Sequence, residues 1–139
     1  LTNAVINSLR PIIAESNLDI NFKHNESEIL IDADLEMIKT VIQNFVTNAI
    51  KHATNQIIIN VEKSSKGVSL SVSNNGEMIN KTQIEKIWDV FYKTELKKHN
   101  RLGSSGIGLS IAKNILMLHH FEHGCNSNKE LTTFWFKTK

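Results

Sequence analysis

The chain has 139 residues, with 16 Lys and Arg against 14 Asp and Glu, one Cys, one Pro and 40% hydrophobic residues. That length fits a single domain, 1–139, and lets folding bury roughly 68% of the unfolded surface, which excludes collagen-like and disordered classes. No apolar run approaches the ~20 residues that span a bilayer, so no direct membrane insertion is expected, and a lone Cys125 excludes an internal disulfide framework.

Residues 1–17 read as a helix, with Val5, Leu9, Ile12 and Ile13 near helical spacing and Pro11 as a kink or interruption. Residues 18–24 alternate like a strand, and Glu28–Ile31 read as a second short one. Asp34 is a good N-cap for a long helix through Ala53. Gln56–Lys63 and Val68–Ser73 then make a hairpin across Ser64–Gly67. A short helix over Lys81–Ile87, a polar loop over 93–104 and a helix from Ser105 to Leu118 follow, and strands near 121–126 and 131–137 close the chain. Apart from the short helix, the order is a helix and two strands, three times over. It predicts an α/β (α+β) fold, a two-layer sandwich whose mixed, largely antiparallel sheet is covered on one face by about three helices. With no start Met and no basic-then-apolar leader, the sequence reads as a soluble fragment.

The net charge of +2 is too small to argue for nucleic acid, but it is unevenly spread. Residues 1–36 hold two basic and seven acidic groups, and the remainder holds 14 basic and 7 acidic. Lys93, Lys97, Lys98 and Arg101 face only Glu95, which suits either an anionic ligand or a solvated loop.

Three constellations carry possible chemistry. On the long helix, Leu35, Ile38, Ile42, Phe45, Val46, Ala49 and Ala53 share a broad face expected to be core, while Asn44, Asn48 and Lys51 form a narrow stripe with His52 at its edge. Asn is a poor residue inside a helix, so the stripe is either a polar outer face or a metal–phosphate site. Amide oxygens are hard neutral ligands for Mg²⁺, and an ammonium is a point charge for phosphate. Asn74-Asn75-Gly76 ends an apolar strand, as a plain turn or as an amide at a pocket mouth. Gly103, Gly106 and Gly108 are three of the chain's six glycines and open a helix, where unpaired N–H groups and the dipole favour an anion. Their spacing fits neither a P-loop nor a Rossmann turn.

Taken together, these runs resemble the motifs of bacterial sensor histidine kinases. Asn44–Ala53 is similar to the N box, Asn74-Asn75-Gly76 to the G1 box, Ile87–Lys93 to the F box and Gly103–Leu109 to the G2 box. The four occur in the family's order and spacing over residues 34–118. The resemblance implies the catalytic, ATP-binding domain of a two-component kinase, in the Bergerat fold shared with gyrase and MutL. It implies catalytic roles for Asn44, Asn48 and Lys51, with Asn44 and Asn48 holding Mg²⁺ and Lys51 touching a phosphate of ATP. His52 would pack near the adenine or ribose, and Asn74 would accept from the adenine amine. Gly76 would let the backbone pass the base, with Ile79 in the same nucleotide site. Phe91 would anchor a lid over 77–105 that nucleotide orders. Gly103, Ser105, Gly106, Ile107 and Gly108 would wrap the phosphates, with Leu109 beneath.

At position 74 the family carries mostly Asp. Asn keeps the carbonyl acceptor without the charge, so Asn74→Asp is expected to tighten ATP binding where the family geometry holds. Met78 replaces a G1 glycine. ATP-hydrolysing relatives place a Glu base where this chain has Asn44, which cannot take a proton from water. The expected function is therefore γ-phosphoryl transfer to a His on a separate dimerisation domain of the same protein, then relay to a response regulator. The location implied is a cytoplasmic domain of a membrane-anchored kinase. The alternatives are a degenerate nucleotide-binding or interaction module and an anti-sigma-factor-type Ser/Thr kinase. His119, His120, His123 and Cys125 match no standard zinc spacing, and Trp88 and Trp135 read as packing residues.

Overall fold

The first helix, α1 (Thr2–Glu15), continues through Pro11 and buries Ile6, Leu9 and Ile13. It stops where Asn17 turns left-handed, with φ 53°. The Asn17 N–H then reaches Ala14 O and the Leu18 N–H reaches Ile13 O, each at 3.4 Å, so the last carbonyls are satisfied and Leu18 is folded into the core. The helix thus ends at Glu15, short of the 1–17 expected, with its apolar positions through Ile13 all inside it. These features belong to a computed structural model that describes residues 1–15, 17–26, 28–89 and 107–138.

Strand β1 (Asp19–His24) follows, but Glu28–Ile31 is not a strand. Its alternation survives, with Ile29 and Ile31 half-buried and Leu30 77% exposed. No ladder accompanies it, and the segment serves as the extended return from β1 to the next helix. Helix α2 (Leu35–His52) begins as expected at Asp34, whose Oδ1 accepts the Met37 N–H at 2.9 Å. Its buried face carries Ile38, Val41, Ile42, Phe45, Val46, Ala49 and Ile50. Leu35, expected in that core, is 63% exposed as the first residue of α2.

Strands β2 (Gln56–Ser64) and β3 (Gly67–Asn74) form the expected hairpin. Gly67 has φ 125°, and a Cβ there would lie 2.7 Å from Thr138 O. Asn80 caps the short helix α3 (Lys81–Ile84), which gives way to turns before Ile87 rather than continuing to it. Helix α4 (Gly108–Leu118) then leads to β4 (Glu122–Ser127) and β5 (Thr132–Lys137).

The five strands lie in the order β1-β2-β3-β5-β4. The β1–β2 pair is parallel and the other pairs are antiparallel, which gives the expected mixed sheet with helices on one side. Ile57, Ile59, Leu70, Val72, Phe134 and Phe136 point from the sheet into the helical layer. Phe45 of α2 is the hub, with ring centroids 5.7 Å from Phe134, 6.2 Å from Trp88 and 6.5 Å from Phe136. Burying one such ring contributes roughly 1.5–3 kcal/mol before any edge-to-face gain.

Two contacts fix how α4 crosses α2. At one end the Asp34 N–H donates to His119 Nε2 at 3.1 Å, and at the other Gly108 lies against Asn44. The helices therefore run antiparallel. Among the described residues, no helix is long and apolar enough to cross a membrane.

Candidate functional site

The polar stripe of α2 sits at the margin of the buried face. Asn44, Asn48, Lys51 and His52 are all half-buried, in contact with the core layer on one side and open on the other. They project this way because positions four and seven apart return to one line of the helix, next to but not on the apolar arc.

Each end of the stripe meets a glycine. At the Asn44 end, a Cβ on Gly108 would lie 3.2 Å from Asn44 Oδ1, so the missing side chain leaves room for that amide oxygen. Helix α4 opens there on Ile107, with no side-chain cap for its first amides. The Ser110 hydroxyl donates to Ile107 O at 2.8 Å instead. The resulting mouth combines a neutral hard oxygen with the positive end of an 11-residue helix. At the other end, Gly76 has φ 145°, and a Cβ there would lie 2.5 Å from His52 O. This glycine is required for the approach of the turn to the end of α2, a reason the sequence alone did not supply. From Asn44 to His52 the helix advances about 12 Å.

Beside Gly76, Asn74 is 3% exposed at the end of β3, and its Nδ2 donates to Asn75 O at 2.9 Å. Ile79 is buried, and its N–H donates to Ser127 Oγ at 2.8 Å, which ties the segment after the turn to β4. Leu109 packs half-buried against the core beneath the α4 opening. Trp88 is buried against Phe134 and His123, at 5.5 and 5.3 Å between rings, as expected of a packing residue. Trp135 lies over Gly124 on the opposite face, where a Cβ would meet its ring at 2.8 Å.

The structure thus sets Gly108, preceded by Ile107, against Asn44 and sets Gly76 against His52, with Asn48 and Lys51 on the helix between and Asn74 beside Gly76, while Ile79 is tied to Ser127 and Leu109 packs on the core. Phe91, Gly103, Ser105 and Gly106, the basic cluster and most of the expected lid lie outside the described residues. Sequence reasoning treated Asn75 only as part of a turn. In the structure its side chain accepts from the Asn55 and Gln56 N–H groups, at 3.1 and 3.0 Å, and binds the turn after α2 to the end of β3. Two adjacent Asn at a strand end were the available signal.

This arrangement has counterparts among known proteins. A family model described as histidine kinase-, DNA gyrase B- and HSP90-like ATPase matches residues 33–139. The chain belongs to that family. Sensor protein IrlS of Burkholderia pseudomallei is 30% identical over 110 residues, covering 77% of this chain and 24% of that protein. The phosphate regulon sensor protein PhoR of Haemophilus influenzae is 31% identical over 123 residues, covering 85% of this chain and 29% of that one. The chain therefore spans less than a third of the curated relatives it matches.

Among solved structures, the catalytic domain of histidine kinase ThkA superposes with a TM-score of 0.86 at 28% identity, over 99% of this chain and 88% of that one. ThkA solved in complex with the response regulator protein TrrA gives 0.82 at 27% identity, over 98% and 38%. By family and fold this is a histidine kinase catalytic domain, of the enzyme class named for those sensor kinases.

His119 uses Nε2 on Asp34 and Nδ1 on Ile115 O, and burial pushes the Cys125 thiol up to about 12. Among the described residues no group of three His, Cys, Asp or Glu is placed to hold a metal. A cavity of about 160 Å³ beside β1, lined by Phe22, His24 and Val61 among others, includes none of the stripe.

Proposed function

We propose that this domain binds ATP with Mg²⁺ and passes the γ-phosphoryl group to a His on a separate dimerisation domain of the same protein, for relay to a response regulator. The observation that carries this reading is the stripe held between two glycine contacts. The base end lies at Asn74 and Gly76, and the phosphate end at Asn44 and Gly108, about 12 Å apart along α2.

Asn44 and Asn48 fit Mg²⁺, which prefers oxygen ligands and keeps waters and phosphate oxygens in its remaining positions. When bound, the ion would neutralise charge on the phosphates. Lys51 adds a cationic contact, and the amides at the opening of α4 add donors aimed at the same end. With an amide at 44 and no carboxylate, the helix offers no base to activate water there, which favours transfer over hydrolysis. The chain's part in catalysis is positioning and charge stabilisation. The full protein would be a membrane-anchored sensor kinase with this domain in the cytoplasm. The interaction-module and Ser/Thr kinase readings gain no specific observation.

Calorimetry with ATP, with and without Mg²⁺, tests the reading. Asn48→Ala should largely abolish Mg²⁺-dependent binding and leave the fold intact, since Asn48 is half-buried and outside the apolar core. Unchanged binding would return the stripe to a polar outer face.

A further inference from the structure

Helices α2 and α4 lie antiparallel and meet at matched ends. Asp34 to Asn44 is ten residues and Gly108 to His119 is eleven, about 15 Å and 17 Å of helix. One end of this crossing is the mouth where Gly108 faces Asn44. The other is a hydrogen bond that the nucleotide reading does not use.

That bond rests on a fixed acceptor. A carbonyl can only accept, so the 2.8 Å contact of His119 Nδ1 with Ile115 O puts the ring proton on Nδ1 and leaves Nε2 to accept. The Asp34 N–H donates to it at 3.1 Å. Phe121 holds the ring on a second side, at 5.4 Å between centroids, and itself stacks on Phe136 of the core at 6.1 Å. Asp34 is fixed as well, because its Oδ1 caps α2. In line with Gly108 and His119 on α4 stand Ala112 and Ile115, both buried. Gly108 and Ala112 bring no bulky ridge to lock α4 along α2, so a directional bond at the far end has that task.

Resting on the nucleotide reading above, we propose that His119 is a positioning residue: by accepting the Asp34 N–H it holds α4 at the place along α2 that sets the α4 opening against Asn44, and so supports Mg²⁺–ATP binding at the other end of the helix. The bond can bias α4 by no more than its own worth, so breaking it weakens Mg²⁺–ATP binding by roughly two- to tenfold. By reciprocity, Mg²⁺–ATP strengthens the bond.

Two variants separate this role from simple capping of α4. His119→Gln carries an amide oxygen at about the reach of Nε2, so it keeps the acceptor for Asp34 and loses the contact with Ile115 O. His119→Asn keeps a donor near the position of Nδ1 and loses the reach to Asp34. Calorimetry with Mg²⁺–ATP should show the loss in His119→Asn and nearly unchanged affinity in His119→Gln, with thermal unfolding as the control on folding. In the unsubstituted chain, hydrogen exchange at the Asp34 amide should slow when Mg²⁺–ATP is added, and this measurement decides the matter if His119→Asn does not fold. Equal losses in both variants, loss in His119→Gln alone or unchanged affinity in both overturns the proposal, as does Asp34 exchange indifferent to Mg²⁺–ATP. Each of those results leaves ATP binding itself standing. A chain that binds no Mg²⁺–ATP overturns the nucleotide reading first, and this proposal with it.

Discussion

Cys125 sits on β4 with its thiol desolvated, and burial raises its pKa from 9.0 to about 12. Below pH 9 the thiol is protonated whether the chain is folded or not, so it adds no pH dependence. Between 9 and 12 the unfolded chain sheds a proton that the native chain keeps, so stability falls by up to about 1.4 kcal/mol per pH unit. Chemical denaturation at pH 8 and pH 10.5 should show this loss, and Cys125→Ala should flatten it after its own cavity penalty. Gly108 makes a sharper residue-scale case. Gly108→Ala places a methyl 3.2 Å from Asn44 Oδ1, at a helix position where Ala is otherwise favoured. Unfolding should therefore shift little, while Mg²⁺–ATP affinity falls several-fold in calorimetry. The Asn stripe was legible in the sequence because i, i+4 and i+7 positions align on any helix. Asn75 was not, because its partners are backbone groups 19 and 20 residues away that only the tertiary fold brings near.

Helix ends carry much of the information at the next scale. Helix α4 closes with the His120 N–H on Met117 O and the Phe121 N–H on Leu116 O, each at 3.0 Å, which puts His120 at φ 58°. That left-handed position favours glycine, so His120→Gly should raise stability by about 0.5–1 kcal/mol in thermal unfolding. Asp34→Ala removes the acceptor for the Met37 N–H and should lower it by about 1 kcal/mol. The start of α2 was readable because a capping side chain acts on residues three away. The end of α1 was harder, since Asn17 adopts αL without the glycine that usually announces it, whereas α4 ends at Leu118 as expected. Glu28–Ile31 failed as a strand for another reason: alternation records which side chains are covered, not whether a neighbouring ladder exists.

Across the whole molecule, the layer arrangement followed from element order, because a sheet with one apolar face needs helices on that side and nowhere else. Strand order did not follow, since β3 and β5 pair across separations from 58 residues, Asn74 with Thr132, to 68, Ser69 with Lys137. Phe45 ties both layers through its contacts with Phe134, Phe136 and Trp88, so Phe45→Ala should destabilise by about 3–5 kcal/mol.

The seam between β3 and β5 also sets a timetable. The β2–β3 and β4–β5 hairpins close over short turns, whereas the β3–β5 pairing of Ser69 with Lys137 waits for a long loop to close. Local hairpins form in microseconds and distant pairings much later, so joining the two hairpins is the slow event in folding. Strand β1 pairs on the far edge and needs α2 already docked to reach β2 in parallel. In stopped-flow refolding, Val72→Ala in the seam should slow the folding limb. Ile20→Val at the edge should leave that limb unchanged and speed unfolding instead.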